Sequence, residues 1–114
     1  MRKLSKVFKA LSDTNRLRIL KMLEIKPMCV CEIREVLNLA NSTVSKHLSI
    51  LRDADFIIDE KDGKWVNYRL NEQEQNMYVE LLLPLIKKWL PEDKKVLADR
   101  KKVAEVDRNI ICGI

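Results

Sequence analysis

Glycine is nearly absent from this sequence, and its absence excludes a common class of nucleotide site. The 114 residues contain only Gly63 and Gly113, so there is no Gly-rich loop to hold phosphate groups. Long apolar runs are also lacking: no stretch is long enough to span a bilayer, and the basic start leads into no signal-peptide core. We therefore expect a cytoplasmic protein without a membrane partner.

Cysteine and histidine are scarce as well. The three cysteines, Cys29, Cys31 and Cys112, are an odd number, which argues against a secreted disulfide framework and favours free thiols in a reducing compartment. The single histidine, His47, belongs to a different segment from every cysteine. A cysteine nucleophile would therefore lack a base, so we expect no enzymatic activity.

Acidic residues are few in the first quarter of the chain. Residues 1–26 hold eight Lys or Arg against Asp13 and Glu24, and the whole chain has a formal charge of +5. A single domain of this size with a basic amino-terminal segment favours a nucleic-acid partner. A solvated basic helix face is the alternative.

Apolar spacing predicts four short helices in the first half of the chain. The first three cover about residues 2–11, 14–24 and 30–38, and the fourth runs from an Asn41 or Ser42 cap to about Arg52. Ser12-Asp13 offers the N-cap of the second helix, and Pro27 ends that helix. Two short helices joined by a tight connection, the second of them polar, indicate a helix-turn-helix.

The fourth predicted helix has an unusual polar face. Val44, Leu48 and Leu51 share one face with the spacing of a core-packing helix, while the opposite face is rich in hydroxyl groups. Hydroxyls can approach DNA closely and bond base edges or phosphates. We predict that this recognition helix contacts DNA through Asn41, Ser42, Thr43, Ser45, Lys46, His47 and Ser49. The alternative is an ordinary amphipathic helix with a serine-rich exterior.

A β-hairpin is predicted directly after this helix. Residues 56–61 and 65–70 are β-prone runs, and Asp62-Gly63-Lys64 between them is a strong turn signal. We assign Lys61 and Lys64 to phosphate contacts. The expected fold is therefore mostly α with a β-hairpin, a winged helix-turn-helix.

The last third of the chain carries more apolar residues than a small domain can bury. From Glu72 onward they cover more than one helix face, which favours a homodimer formed through the terminal helices. Pro84 should kink or divide this helix. Pro91 ends it, so we divide the chain into a DNA-binding and dimerisation domain, residues 1–91, and a charged, peripheral helix with an apolar tail, residues 92–114.

Cys29-Val30-Cys31 is the segment most suited to chemistry. Both thiols are expected at the start of the third helix, where the helix dipole and free backbone N–H groups favour thiolate, the form that selects thiophilic ions. Residues i and i+2 of a regular helix point about 200° apart. One ion can therefore join both sulfurs only in a distorted helix start, and its capture would misalign the recognition helix. Two inert, buried thiols are the alternative.

Four motifs in this order resemble those of the ArsR/SmtB family: residues 13–20, 29–33, 42–48 and 62–69. The resemblance covers about residues 3–90. It implies a dimeric winged-helix repressor that binds double-stranded operator DNA without a cofactor and leaves it when an effector ion binds. Thr14, Ala40 and Asn41 depart from the family's pattern, so base contacts cannot be carried over at position 41.

The Cys-Val-Cys-acid motif resembles the arsenic-sensing branch of that family, so we expect As(III) or Sb(III) as the effector. That branch has a third cysteine where this sequence has Arg34, which makes Cys112 the candidate third ligand beside Cys29 and Cys31. Another thiophilic metal (Cd, Pb or Hg) or thiol oxidation is the alternative signal. A winged helix used for protein contacts is a further alternative.

Overall fold

Helices dominate the architecture, and they follow one another in the order that a winged helix requires. The computed structural model describes residues 1–73 and 75–107. Its elements are α1 (Arg2–Leu11), α2 (Thr14–Leu23), β1 (Met28–Cys29), α3 (Val30–Leu37), α4 (Asn41–Asp53), β2 (Ile57–Asp62), β3 (Trp65–Leu70), α5 (Met77–Lys88) and α6 (Lys94–Glu105). They confirm the mostly α fold with a β-hairpin, in which α3 and α4 form the helix-turn-helix and β2 and β3 form the wing.

The turn between α3 and α4 differs in one respect from the prediction. Asn38 closes α3 in the left-handed conformation (φ 56°), and α4 then begins after Ala40, whose backbone is extended and which has no side-chain cap. The expected cap at Asn41 or Ser42 is therefore wrong. Both residues lie inside the first turn of α4, so their side chains are not used to cap the helix.

The sheet has a strand that periodicity does not reveal. Its order is β1-β3-β2, with β3 antiparallel to both neighbours. Met28 pairs with Tyr68, and Cys29 pairs with Asn67. The sequence pattern places Cys29 at a helix start, because two residues are too few to display strand alternation. Cys29 instead ends a strand that is hydrogen-bonded to the wing.

Helix α6 is part of the core and not the peripheral helix that its charge suggested. It packs on α2 and α3, and it buries Val96 and Val103 on one side. Arg18 of α2 forms a two-pronged ion pair with Asp99 of α6, at 2.8 and 2.9 Å. The apolar residues of α6 are few, but their spacing of seven places them on one face, which is enough to dock a charged helix. The division at residues 91 and 92 stays a prediction.

Helix α5 is one continuous helix from Met77 to Lys88, so Pro84 does not divide it. The buried Lys21 ammonium donates to the carbonyl of Ile86 (3.0 Å) and anchors the last turn of α5 to α2.

No helix within residues 1–73 and 75–107 combines the length and hydrophobicity of a membrane span.

We expect Asp99→Ala to lower the free energy of unfolding by about 2–3 kcal/mol, because it strips a largely buried guanidinium of its charged partner. Lys101→Ala, an exposed position on the same helix, should change it by less than about 0.5 kcal/mol. Urea unfolding of both variants measures the difference. Equal effects would mean that the ion pair does not hold α6 in place.

Candidate DNA-binding surface and thiol site

The two faces of α4 divide as the sequence predicts. Val44, Leu48 and Leu51 are at most 1% exposed and pack into the core. The face assigned to DNA is exposed and runs along one side of the helix, at Asn41, Ser42, Thr43, Ser45, Lys46 and Ser49. Apart from Lys46, the side chains on this surface are short, and none of them is acidic, which is the arrangement that would allow DNA to approach the helix closely. Their roles as DNA contacts stay predictions.

His47 occupies a different environment from the other predicted DNA contacts. Its side chain is only 14% exposed. Its Nδ1 lies 3.1 Å from Nη1 of the buried Arg16 on α2. One edge of the ring is therefore used to hold α4 against α2, which sequence periodicity could not reveal. His47 acts as a tertiary contact whatever its role toward DNA.

The wing presents its lysines at the tip of the hairpin. Gly63 makes the turn with a positive φ of 61°, which favours glycine at this position. Lys61 and Lys64 flank the turn and are exposed, and the Lys64 ammonium lies 5.5 Å from the centre of the Trp65 ring. The two lysines are thus exposed on the wing, and their roles as phosphate contacts stay predictions.

Two other cations of this region are held by acids. Arg52 at the end of α4 forms an ion pair with Asp59 of β2 at 3.2 Å, and Arg69 of β3 forms one with Glu60 of β2. These pairs fix the wing to the recognition helix and to itself. They are exposed, so each contributes little to stability.

Cys29 is a buried thiol at the joint between β1 and α3. It is 3% exposed, and its backbone is extended (φ −88°, ψ 169°) because it is the N-cap residue of α3. Burial raises the pKa of the Cys29 thiol above its ordinary value, and this effect outweighs the backbone N–H groups of Glu32 and Cys31, which lower it. The expectation that the helix start favours thiolate is therefore wrong for Cys29.

Glu32, the acid of the Cys-Val-Cys-acid motif, has a role at this site that the sequence analysis did not assign to it. Its carboxylate accepts a hydrogen bond from the backbone N–H of Cys29 at 3.0 Å and lies 3.8 Å from the Lys26 ammonium. Its negative charge raises the pKa of Cys29 further. The spacing Cys-x-x-Glu before a helix is the signal that would have revealed this reciprocal capping arrangement.

Cys31 differs from Cys29 in position and state. It lies one residue inside α3, is half-buried and is disulfide-bonded, whereas Cys29 is a free thiol. Cys112, the third predicted ligand, lies outside the described residues. Across residues 1–73 and 75–107, no three Cys, His, Asp or Glu side chains are grouped to hold a metal ion. The sequence analysis assumed that Cys29 and Cys31 both lie on a regular helix, about 200° apart. This assumption is wrong, because only Cys31 belongs to α3.

The comparisons with known proteins point in one direction. A family model described as "Bacterial regulatory protein, arsR family" matches residues 13–59. The Arsenical resistance operon repressor of Escherichia coli K12 is 33% identical over 107 residues, which is 91% of this chain and 81% of the relative. Its namesake from Bacillus subtilis is 40% identical over 67% of this chain and 73% of the relative.

Other relatives carry different names. A cadmium resistance transcriptional regulatory protein, the CadC homolog of Staphylococcus aureus, is 35% identical over 67% of this chain and 64% of the relative. Among solved structures, HlyU from Vibrio cholerae is 33% identical, with a TM-score of 0.59 over 74% of this chain and 91% of that one. Its reduced form matches with a TM-score of 0.58, over 74% of this chain and 88% of that one. The winged-helix fold is therefore shared with known regulators.

We expect Glu32→Gln to lower the pKa of Cys29, because the substitution removes a negative charge beside the thiol and keeps an acceptor for the Cys29 N–H. In a protein that also carries Cys31→Ser and Cys112→Ser, alkylation of Cys29 by iodoacetamide at about pH 8 should then be faster. Because the folded-state pKa is raised, stability should fall as the pH rises above the ordinary thiol value, and less steeply in the Glu32→Gln variant.

The matched control for this experiment is Glu35→Gln, which removes an exposed carboxylate one turn-length along the same helix. It should leave the pH profile of alkylation where it is. A profile that moved equally in both variants would show that Glu32 has no particular effect on the thiol.

Proposed function

This chain belongs to the arsR family of bacterial regulatory proteins and is a transcriptional repressor, and we propose that it leaves its operator when As(III) or Sb(III) binds Cys29 and Cys31. The observation that carries the proposal is the position of these thiols. They lie at the joint where β1, paired with the wing, passes into α3, which packs on the recognition helix α4. An ion bound at this joint acts on both DNA-reading elements.

DNA binding itself is assigned to α4 and the wing. The exposed hydroxyls of α4 suit base edges and phosphates in the major groove, and Lys61 and Lys64 suit the backbone beside it. Four lysines or arginines on α1 (Arg2, Lys3, Lys6 and Lys9) add to the positive potential that attracts DNA. No cofactor is needed for these contacts.

A homodimer is the form that we propose to bind the operator. Helices α1 and α5 pack on one another, yet they leave large apolar side chains 45–65% exposed: Phe8, Met77, Leu81, Leu85 and, just past the end of α5, Trp89. A second copy of the chain would cover this surface by two-fold symmetry. The operator should then contain two half-sites one helical turn, or a multiple of it, apart.

The effector assignment follows from ligand chemistry. Trivalent arsenic and antimony bind thiolates, so capture must remove the proton from the buried Cys29, whose pKa is raised, and must find Cys31 in its reduced state. We propose Cys112 as a third thiolate that completes the site. The relatives named for arsenical resistance support this effector.

Capture by Cys29 also requires a change of conformation. The thiol is 3% exposed, so an ion reaches it only after the β1–α3 joint has opened. Once the joint is open, α3 and the wing no longer keep the relative position that operator binding requires. The ion therefore binds the DNA-incompetent state more tightly, and by linkage operator DNA weakens ion binding by the same factor.

A second candidate signal is thiol oxidation, and the state of Cys31 favours it. Its disulfide occupies one of the two sulfurs that an ion would use, so the same joint can respond to redox conditions. A soft metal such as cadmium is the other alternative, since one relative is named for cadmium resistance.

Replacing Ser45 with Ala should weaken operator binding by about 1–3 kcal/mol if a base contact is lost. Lys64→Ala should instead weaken binding to all sequences alike and lower the salt slope by about one. Fluorescence anisotropy with operator and scrambled duplexes separates the two effects. The control is Ser5→Ala, an exposed serine on α1; a loss equal to that of Ser45→Ala would count against the recognition-helix assignment.

Leu81→Glu should convert the dimer into a folded monomer at micromolar concentration. The side chain is 65% exposed in the single chain, so the charge harms only an interface. Leu97→Glu, at a 40% exposed leucine on α6, is the matched control and should leave the dimer intact. Sedimentation velocity gives both states, and a wild-type protein that sediments as a monomer would refute the dimer.

The effector is tested by operator release in protein kept reduced by a phosphine, titrated with arsenite, antimonite, cadmium and zinc. Arsenite should weaken operator binding about 5- to 150-fold, the usual range of such coupling. Cys29→Ser and Cys31→Ser should bind operator normally and fail to release it. Cys112→Ser should bind arsenite more weakly and still release DNA.

The outcomes of this titration separate the candidates. An unaltered arsenite response in Cys29→Ser would sink the arsenic mechanism. Release by cadmium but not by arsenite would assign the same joint to a soft-metal signal. Release only by a mild oxidant, after the phosphine is removed, would assign it to thiol oxidation.

A further inference from the structure

Arg16 is a buried arginine whose side chain joins three helices. It is 8% exposed. Its Nε donates to the carbonyl of Ala10 and its Nη2 to the carbonyl of Lys9, both at 3.0 Å. These carbonyls end α1, where the helix dipole favours a cation. The third arm of the guanidinium, Nη1, lies 3.1 Å from Nδ1 of His47 on α4.

The contact with Arg16 determines which ring nitrogen of His47 carries the proton. A guanidinium has only donors, so Nδ1 must accept this hydrogen bond and is unprotonated. The proton of the neutral ring is then on Nε2. That atom has no partner among the described residues and is not one of their buried unpaired atoms. In the neutral ring, Nε2–H is therefore the donor that His47 can offer to a partner outside the protein.

Asp13 is the other group close to the ring. Its Oδ2 lies 3.9 Å from Nδ1 of His47, a distance that would suit an ion pair only with a protonated Nδ1. The same oxygen accepts the backbone N–H of Arg16 at 3.1 Å and caps α2. Nδ1 cannot accept a hydrogen bond from Arg16 and donate one to Asp13 at the same time. We therefore assign its protonation state from the shorter contact, the one with Arg16.

We propose that Arg16 is a positioning residue for DNA binding, which orients His47 so that its Nε2–H meets a DNA phosphate and which fixes α4 relative to α1. The inference rests on the proposed DNA-binding role of α4. A guanidinium is a costly way to fill this space, since an apolar side chain would avoid its burial. Only a planar side chain with several donors can hold two carbonyls of α1 and one nitrogen of α4 together.

Two substitutions of His47 separate its two ring nitrogens. His47→Asn keeps an acceptor near the position of Nδ1 and loses the outward donor. His47→Gln keeps a donor near the position of Nε2 and loses the acceptor that faces Arg16. Each is combined with Arg16→Met, which removes the three donor nitrogens Nε, Nη1 and Nη2. Each is also combined with Arg16→Lys, which keeps the charge but has a single ammonium group in place of the three donor nitrogens.

Operator affinity of these variants gives the expected result. Arg16→Met should weaken operator binding about tenfold or more in wild-type protein, and much less in His47→Gln, where the contact with Arg16 is already lost. In His47→Asn the loss should be intermediate, because the outward donor is already absent and only the effect of Arg16 on the position of α4 remains. Arg16→Lys should behave like Arg16→Met and serves in its place if that variant does not fold. Equal losses in all three backgrounds would overturn the proposal.

Nitrogen NMR of the His47 ring is a readout that a purely structural role would not change. In wild-type protein at a pH where the ring is neutral, Nδ1 should have the chemical shift of an unprotonated nitrogen. In Arg16→Met, Nδ1 should become protonated, because Asp13 is then the nearest acceptor. A wild-type Nδ1 that carries a proton would refute the assignment. Wild-type protein that does not bind operator would refute the proposed function instead, and the NMR result would stand apart from it.

Discussion

The pairing of two residues, Met28 and Cys29, with the wing is the constraint on which the site depends. Their hydrogen bonds to β3 hold the chain extended up to the first residue of α3. The predicted effector thiols are therefore part of a joint between the sheet and the helix-turn-helix. A distorted helix start alone would disturb the recognition helix, whereas a change at this joint would also reach the wing, because β1 is paired with β3.

Burial and the backbone N–H groups at the helix start have opposite effects on the pKa of Cys29. The backbone N–H groups at the start of α3 lower the pKa of its thiol, but desolvation and the Glu32 carboxylate raise it, and the second pair of effects is the larger. The closed joint thus favours the neutral thiol, which is a poor metal ligand. The proposed response to arsenic therefore couples release of the Cys29 proton to opening of the joint.

Helix α2 is the element that positions its neighbours. Two arginines on it, two residues apart, reach in different directions: Arg16 to α1 and α4, and Arg18 to α6. Lys21 on the same helix reaches the end of α5. Three cations of one helix thus hold α1, α4, α5 and α6, while Ile19 and Leu20 fill the core beneath them. Basic residues in the first quarter of the chain have structural roles here as well as the DNA attraction that their charge suggests.

Local rules were sufficient for the helices and the hairpin, because each depends on neighbours in the chain. The 3.6-residue period placed α1 to α4 within a residue or two, and Asp62-Gly63 placed the wing turn. The polar face of α4 and the Cys-x-Cys pair were visible for the same reason, since both are short patterns. The family resemblance rested on these patterns, and the comparisons confirm it.

Only the tertiary structure decided where the long-range partners lie. The pairing of β1 with β3 joins residues about forty positions apart, and the contact of Arg16 with His47 spans 31. The raised pKa of Cys29 and the docking of α6 depend on burial by distant segments. A periodicity records which side of an element is apolar, but it does not record what that side meets. The burial of polar groups, and with it their pKa and their hydrogen-bond partners, is therefore determined by the folded chain as a whole.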